Sequence, residues 1–202
     1  MLVIGLTGSI GMGKSTTADL FEEQGIPIFD SDAYVHMLYD EGGAAVDIFR
    51  QDRILKKAVL KDKTTGNPYI DRATLRDLIY TDAQLKQKIE QIVHTLVRAG
   101  QDLFLAEAQQ RKYPAALLDI PLLFETGAEA RCDVVIVVTA PASIQKKRVL
   151  KRPNMTEERF KTILKNQMSD YEKRKKADYI INTALGVSSA RKQVRAILNE
   201  LL

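Results

Sequence analysis

The sequence has a single cysteine, Cys132. One thiol excludes an internal disulfide and a cysteine-built zinc site, and it fits a reducing compartment. Long apolar runs are also missing. The longest strongly apolar stretch, Val134 to Val138, is far shorter than the ~20 residues of a membrane-spanning helix. Met1-Leu2-Val3-Ile4-Gly5 lacks the basic segment and apolar core of a signal peptide. A cytoplasmic protein is expected. There is no internal repeat, low-complexity tract or clear interdomain linker.

What is present is ordinary for a globular chain: 202 residues, 45% hydrophobic and 28% charged. That length buries a full core without staples. One α/β domain with an inserted subdomain is expected. The net charge of +4 is unevenly spread. Residues 1–140 carry 15 basic and 20 acidic side chains, and residues 141–202 carry 15 and 6. A basic final third suits nucleic acid, a membrane surface or a phosphorylated small molecule. The cations alternate with aliphatics at helical spacing and have few aromatics among them. This argues against nucleic acid. A phosphate-rich substrate accounts for part of the bias, and a solvated helix face for most of the lysines.

Apolar runs alternate with helical patterns. Strands are predicted at Leu2–Leu6, Ile26–Phe29, Ala115–Leu118, Val134–Val138 and Tyr179–Ile181, with a helix from Lys14 to Gln24 stopped by Gly25. Continuous apolar strands separated by helices indicate a parallel sheet covered on both faces. Ligands on such sheets bind beyond the carboxyl ends of the strands. Gly8, Asp30, Asp32, Asp119 and Thr139 fall there. The ~85 residues between the second and third strands exceed what a crossover needs. They read as helical, with a turn at Gly66-Asn67-Pro68, and as a substrate subdomain.

Residues 8–15 read Gly8-Ser9-Ile10-Gly11-Met12-Gly13-Lys14-Ser15. This is the G-x-x-x-x-G-K-[ST] phosphate loop. Glycines let the backbone curl so that its N–H groups converge on phosphate oxygens. Lys14 then stands between the β- and γ-phosphates, Ser15 offers its hydroxyl to Mg²⁺, and the next helix turns its N-terminus to the anion. GTPase switches, motor ATPases and small-molecule kinases all share this loop.

Asp30-Ser31-Asp32 follows the second strand. In extended chain, residues two apart face one side. One carboxylate then suits proton abstraction and the other Mg²⁺; alternatively, Ser31 or Asp32 caps the next helix. Gln145, Arg148 and Arg152 stand at i, i+3 and i+7 of the helix predicted after the fourth strand and share a face. Arginines there neutralise charge on a transferring phosphoryl group, or form a plain surface pair. A helix is predicted over 83–109, with Leu85, Ile89, Ile92 and Leu96 as its apolar stripe. His94 points away from that stripe. It is not a core histidine, and is either a ligand contact or exposed.

Assembled in order, these blocks resemble the dephospho-CoA kinase family over nearly the whole chain. The resemblance is carried by Gly5-Leu6-Thr7-Gly8 into Gly13-Lys14-Ser15-Thr16, Asp30-Ser31-Asp32, Ile70-Asp71-Arg72, His94, Pro121-Leu122-Leu123-Phe124-Glu125, Gln145-Lys146-Lys147-Arg148, Gln167-Met168 and Ala177-Asp178-Tyr179-Ile180-Ile181-Asn182. It implies an α/β, three-layer P-loop NTPase fold with a five-stranded parallel sheet. It further implies a nucleotide-binding core (1–33, 115–145 and 177–202), a helical substrate subdomain (34–114) and a lid (146–176). It implies ATP as donor, Mg²⁺, and transfer of the γ-phosphoryl to the ribose 3′-hydroxyl of dephospho-CoA. By the same resemblance, Asp32 is the catalytic base, and Lys14 and Arg148 assist transfer. Gly8, Gly11, Met12, Gly13, Lys14, Ser15, Thr16, Arg148, Arg152 and Asn182 hold the nucleotide. Asp32, His94, Leu122, Leu123 and Glu125 meet the acceptor, and Ser15 and Asp30 hold the metal. The family's His-Pro is His94-Thr95 here, its Phe-Gly is Phe49-Arg50, and a lid arginine is replaced by Ile163. Lys161 and Lys165 are the neighbouring cations, without arginine's bidentate fork.

The expected function is an ATP-dependent kinase acting on a small molecule, with no nucleic acid or membrane partner. Another P-loop nucleotide kinase, or a nucleotide-dependent binding module, is the alternative. Lys14→Ala or Asp32→Asn is expected to abolish transfer and leave the fold intact.

Overall fold

The computed structural model describes residues 1–80 and 82–202. They divide into two compact units, one of residues 1–30 and 105–202, the other of residues 31–104.

The first unit contains β1 (Leu2–Thr7), α1 (Lys14–Glu22) and β2 (Ile28–Asp30). The second holds α2 (Ser31–Tyr39), α3 (Ala44–Gln51), β3 (Val59–Lys61), β4 (Pro68–Ile70) and α4 (Arg72–Tyr80), together with most of α5 (Ala83–Gln110). The chain completes the first unit with β5 (Ala115–Asp119), β6 (Val134–Thr139), α6 (Ala142–Leu150), α7 (Glu157–Lys165), α8 (Asp170–Lys175), β7 (Tyr179–Asn182) and α9 (Val187–Leu201).

Among the described residues, the main sheet has five parallel strands in the order β2-β5-β1-β6-β7. Alternation sets its two faces. Ile4, Leu6, Leu117, Ile136, Val138 and Ile181 pack against Leu20 and Phe21 of α1 and Val194, Ile197 and Leu198 of α9. The α9 residues recur at helical spacing, which makes one apolar stripe. Burying a side chain such as Phe21, fully enclosed, contributes about 1.5–3 kcal/mol. On the other face, Gly5 lies against Leu123 and Cys132: a Cβ built at Gly5 would meet Cys132 Sγ at 2.7 Å. Helix α1 ends two residues earlier than predicted, at Glu22, and Gly25 closes it with φ +80°.

The second unit has its own core, including Leu38, Phe49, Leu55, Ile70, Leu85 and Ile89. Contrary to the helical reading of this stretch, β3 and β4 form an antiparallel hairpin, pairing Val59 with Ile70 and Lys61 with Pro68. Its turn is organised by Asp62, whose Oδ1 accepts from the N–H groups of Thr64 and Thr65 at 2.7 and 2.9 Å. Strands of three residues are too short to show a period of two. The unit also starts and ends before the expected 34–114, because α2 begins at Ser31 and the end of α5 from Leu105 belongs to the first unit. Residues 146–176 lie within the first unit. The boundary expected at 145/146 falls inside α6.

Candidate nucleotide site

The site is built where β1 ends. Gly11 and Gly13 have φ of +79° and +96°, a region that costs other L-residues steric strain. A Cβ at Gly11 would also lie 2.4 Å from Val149 Cγ2 of α6. The loop closes on itself through Met12 N–H to Ser9 O at 3.1 Å. Gly13 precedes α1, so the N–H groups of Lys14, Ser15 and Thr16 have no acceptor in the preceding turn. They face outward with the positive end of the helix, and Ser15 and Thr16 are exposed. The Met12 side chain does the reverse. It is buried, and its Sδ accepts from Ala140 N–H at 3.1 Å. Only the backbone of Met12 is therefore left to meet a ligand at the loop.

Lys14 reaches back to the sheet. Its Nζ lies 2.5 Å from Oδ1 of Asp119, the last residue of β5. Asp119 pairs in register with Asp30, the last residue of β2, so two carboxylates stand side by side at the sheet edge. These carboxylates and the Ser15 hydroxyl are hard-oxygen donors of the kind Mg²⁺ accepts. Among the described residues, no three His, Cys, Asp or Glu side chains cluster as a metal site. An ion held by these groups would need further ligands from water or phosphate.

Beside the loop is a cavity of about 300 Å³, lined by Gly11, Gly13, Thr16, Arg148, Arg152 and Thr183 among others. Arg148 is held by Thr183, donating Nη1 to Oγ1 and Nη2 to the carbonyl, both at 2.8 Å. It braces the turn after β7, and the structure does not place it on a separate lid. Arg152 lines the same cavity, but it is not on the helix of Arg148. Helix α6 stops at Leu150, and Arg152 sits in the following turn before Pro153. Gln145 is buried and donates Nε2 to Ile10 O at 2.8 Å. Asn182 does not line the cavity. Its Oδ1 accepts from Ala184 N–H at 2.9 Å and shapes the adjoining turn.

The Pro121–Glu125 block departs most from expectation. Leu122 is exposed, but Leu123 is fully buried against Gly5 and can contribute only packing to an acceptor site. Glu125 is engaged by Lys173 of α8, with Nζ 3.0 Å from Oε1, and also accepts from Met168 N–H at 2.7 Å. Lys173 is fully buried, and it also donates to Pro121 O at 3.2 Å. Reading sequence alone missed this lysine because it belongs to the cationic run Lys173-Arg174-Lys175-Lys176, which resembles a solvated face. Two more contacts tie this segment to the site. Gln167 Oε1 accepts from Ile10 N–H at 3.1 Å, and Asp170 accepts from Thr139 Oγ1 at 2.8 Å. A capping box between Ser169 and Glu172 starts α8. The Ser169 hydroxyl holds the Glu172 carboxyl below its ordinary pKa.

In the second unit, Asp32 is exposed in the first turn of α2. The capping alternative is not seen. Both Ser31 and Asp32 lie inside the helix, and Ser31 Oγ accepts from Gln101 Nε2 at 3.4 Å. His94 is exposed, as its position on α5 predicts, at the rim of a cavity of about 220 Å³ that also includes Tyr39, Ile79, Ile89 and Val93.

Comparison with known proteins agrees with this arrangement. The family model described as dephospho-CoA kinase matches residues 2–188. A dephospho-CoA kinase of Agrobacterium fabrum is 48% identical over 201 residues, covering 100% of this chain and 98% of its own. The crystal structure of TT1252 from Thermus thermophilus superposes with a TM-score of 0.81 at 31% identity, covering 100% of this chain and 98% of that one. The dephospho-CoA kinase of Campylobacter jejuni does so with a TM-score of 0.68 at 28% identity, covering 98% and 96%. With a family model spanning nearly its whole length and relatives matched end to end, the chain belongs to the dephospho-CoA kinase family.

Proposed function

We infer that the chain transfers the γ-phosphoryl group of ATP to the ribose 3′-hydroxyl of dephospho-CoA. The observation that carries this reading is the phosphate loop itself: amides without acceptors, Lys14 held at the sheet edge by Asp119, and a cavity beside them. Family membership names the acceptor.

The loop amides and Lys14 bind the phosphates of ATP. Arg148 and Arg152 add positive charge at the cavity wall. Asp32 takes the proton of the acceptor hydroxyl as that oxygen bonds to the γ-phosphorus. The bond from phosphorus to the bridging oxygen breaks, and ADP leaves. Ser15 and Asp30, with Asp119 beside Asp30, are the groups that would hold Mg²⁺, which when bound would neutralise charge on the phosphate oxygens. His94, Leu122 and Glu125 belong to the acceptor side in this reading. A cytoplasmic setting follows from ATP as donor. The basic final third is assigned to phosphate binding and internal pairing rather than to nucleic acid. Lys146, Lys173, Arg174 and Arg191 are each paired with a carboxylate.

The test is ADP release from ATP and Mg²⁺ with dephospho-CoA, AMP or no acceptor, with the product identified by mass. Release with dephospho-CoA alone, yielding CoA, is expected. Release with AMP instead keeps the kinase and discards this acceptor.

A further inference from the structure

Two side chains outside the phosphate-loop signature grip its carbonyl groups. Gln145 donates Nε2 to Ile10 O at 2.8 Å. Thr183, in the turn after β7, donates Oγ1 to Met12 O at 2.7 Å. Both are buried. The direction of each bond is settled by chemistry. A carbonyl only accepts, so Gln145 must present its NH₂. Arg148 only donates, so the Thr183 hydroxyl that accepts from it at 2.8 Å must pass its own proton onward. Met12 O at 2.7 Å is nearer than Thr139 O at 3.3 Å.

A planar trans peptide points its N–H opposite to its C=O. Holding back the Ile10 carbonyl therefore aims the Gly11 N–H the other way. Holding back the Met12 carbonyl does the same for Gly13 N–H. Gly11 and Gly13 both line the cavity. Each carbonyl drawn away also removes a partial negative charge from the place an anion occupies.

We propose that Gln145 and Thr183 are positioning residues that set the polarity of two loop peptides, so that Gly11 and Gly13 N–H groups face the nucleotide phosphates. This rests on the nucleotide reading above. Gln145 acts through the loop and not by contact with the nucleotide. Arg148 has a part in it, because its bonds to Thr183 fix which way the hydroxyl donates.

Gln145→Met and Thr183→Val keep the side-chain volume and remove the donor. Binding of ADP and of adenosine to the full chain is measured by calorimetry. ADP affinity falls about tenfold in each variant, the scale of one hydrogen bond to a charged group, and adenosine affinity stays constant. Unchanged ADP affinity, or equal weakening of both ligands as general damage would give, overturns the proposal. An unsubstituted chain that binds ADP no better than adenosine removes the nucleotide reading itself. If a variant folds poorly, amide spectra of the unsubstituted chain decide. On titration with pyrophosphate, the Gly11 and Gly13 N–H resonances shift strongly, and that of Ile10, already bonded to Gln167, shifts less. Silent Gly11 and Gly13 resonances refute the assignment.

Discussion

Lys14 Nζ lies 2.5 Å from Asp119 Oδ1, joining the phosphate loop to the end of a strand 105 residues further on. Their side chains are 15% and 4% exposed. An ammonium has three protons to donate, so Lys14 can keep Asp119 and still meet a phosphate. Its position is set before any nucleotide arrives, which lowers the ordering cost of binding.

This pair gives the Lys14→Ala substitution an expected stability cost beside its effect on transfer. The substitution abolishes transfer and strips a buried carboxylate of its cation, at a cost of about 3 kcal/mol. The double variant Lys14→Ala/Asp119→Asn recovers part of that loss. Urea denaturation of the singles and the double measures the coupling. Strictly additive losses would show the pair to be energetically idle.

Asp32→Asn lowers kcat by about 10²–10⁴-fold, the scale of general-base catalysis. Stability changes little, because the side chain is exposed in the first turn of α2. Steady-state kinetics with a melting curve checks both. Near-normal turnover would exclude Asp32 as the base.

Lys173→Met destabilises the chain by about 3 kcal/mol, because Glu125, 18% exposed, loses its buried partner. The loss falls on the segment that supplies Gln167 to the loop. Hydrogen exchange at Met168, whose N–H donates to Glu125, should accelerate. Unchanged protection there would mean that the ion pair does not order this segment.

Gly11→Ala combines φ of +79° with a methyl group 2.4 Å from Val149. Nucleotide affinity falls at least tenfold, and Gly11→Ala with Val149→Ala recovers only the steric part. Calorimetry with ADP separates the two, since the backbone strain of about 1–2 kcal/mol persists in the double variant.

Burial, reinforced by the Asp133 carboxylate, pushes the Cys132 thiol up to about 11. An unfolded chain releases this proton near about 8.5. Between these values the unfolded state holds fewer protons, so stability falls as pH rises. The contribution is complete below about 8.5 and is lost by about 11. Denaturation of the parent and Cys132→Ala across this range isolates it. Parallel stability curves would contradict the raised value.

Much of the fold was legible because its signals are local. The run Leu2–Thr7, the glycines of the loop and the helix after Lys14 stand within two dozen residues of one another. The end of α6 is legible as well: Pro153 disfavours helix at the residue before it, which removes Arg152 from the helix of Arg148. The β3–β4 hairpin was not legible, since three residues per strand show no alternation.

The sequence by itself determined the parallel sheet and the phosphate loop with its Lys14, because periodicity and motif spacing along the chain encode them, and its ordered motif blocks carried the family resemblance. Only the tertiary structure decided which groups the loop rests on. Asp119, Gln145, Gln167, Lys173 and Thr183 each act across contacts between residues at least 48 positions apart. No local pattern distinguishes a buried Lys173 from the solvated lysines beside it. That difference arises when the chain closes on Glu125 and takes the Lys173 ammonium out of water.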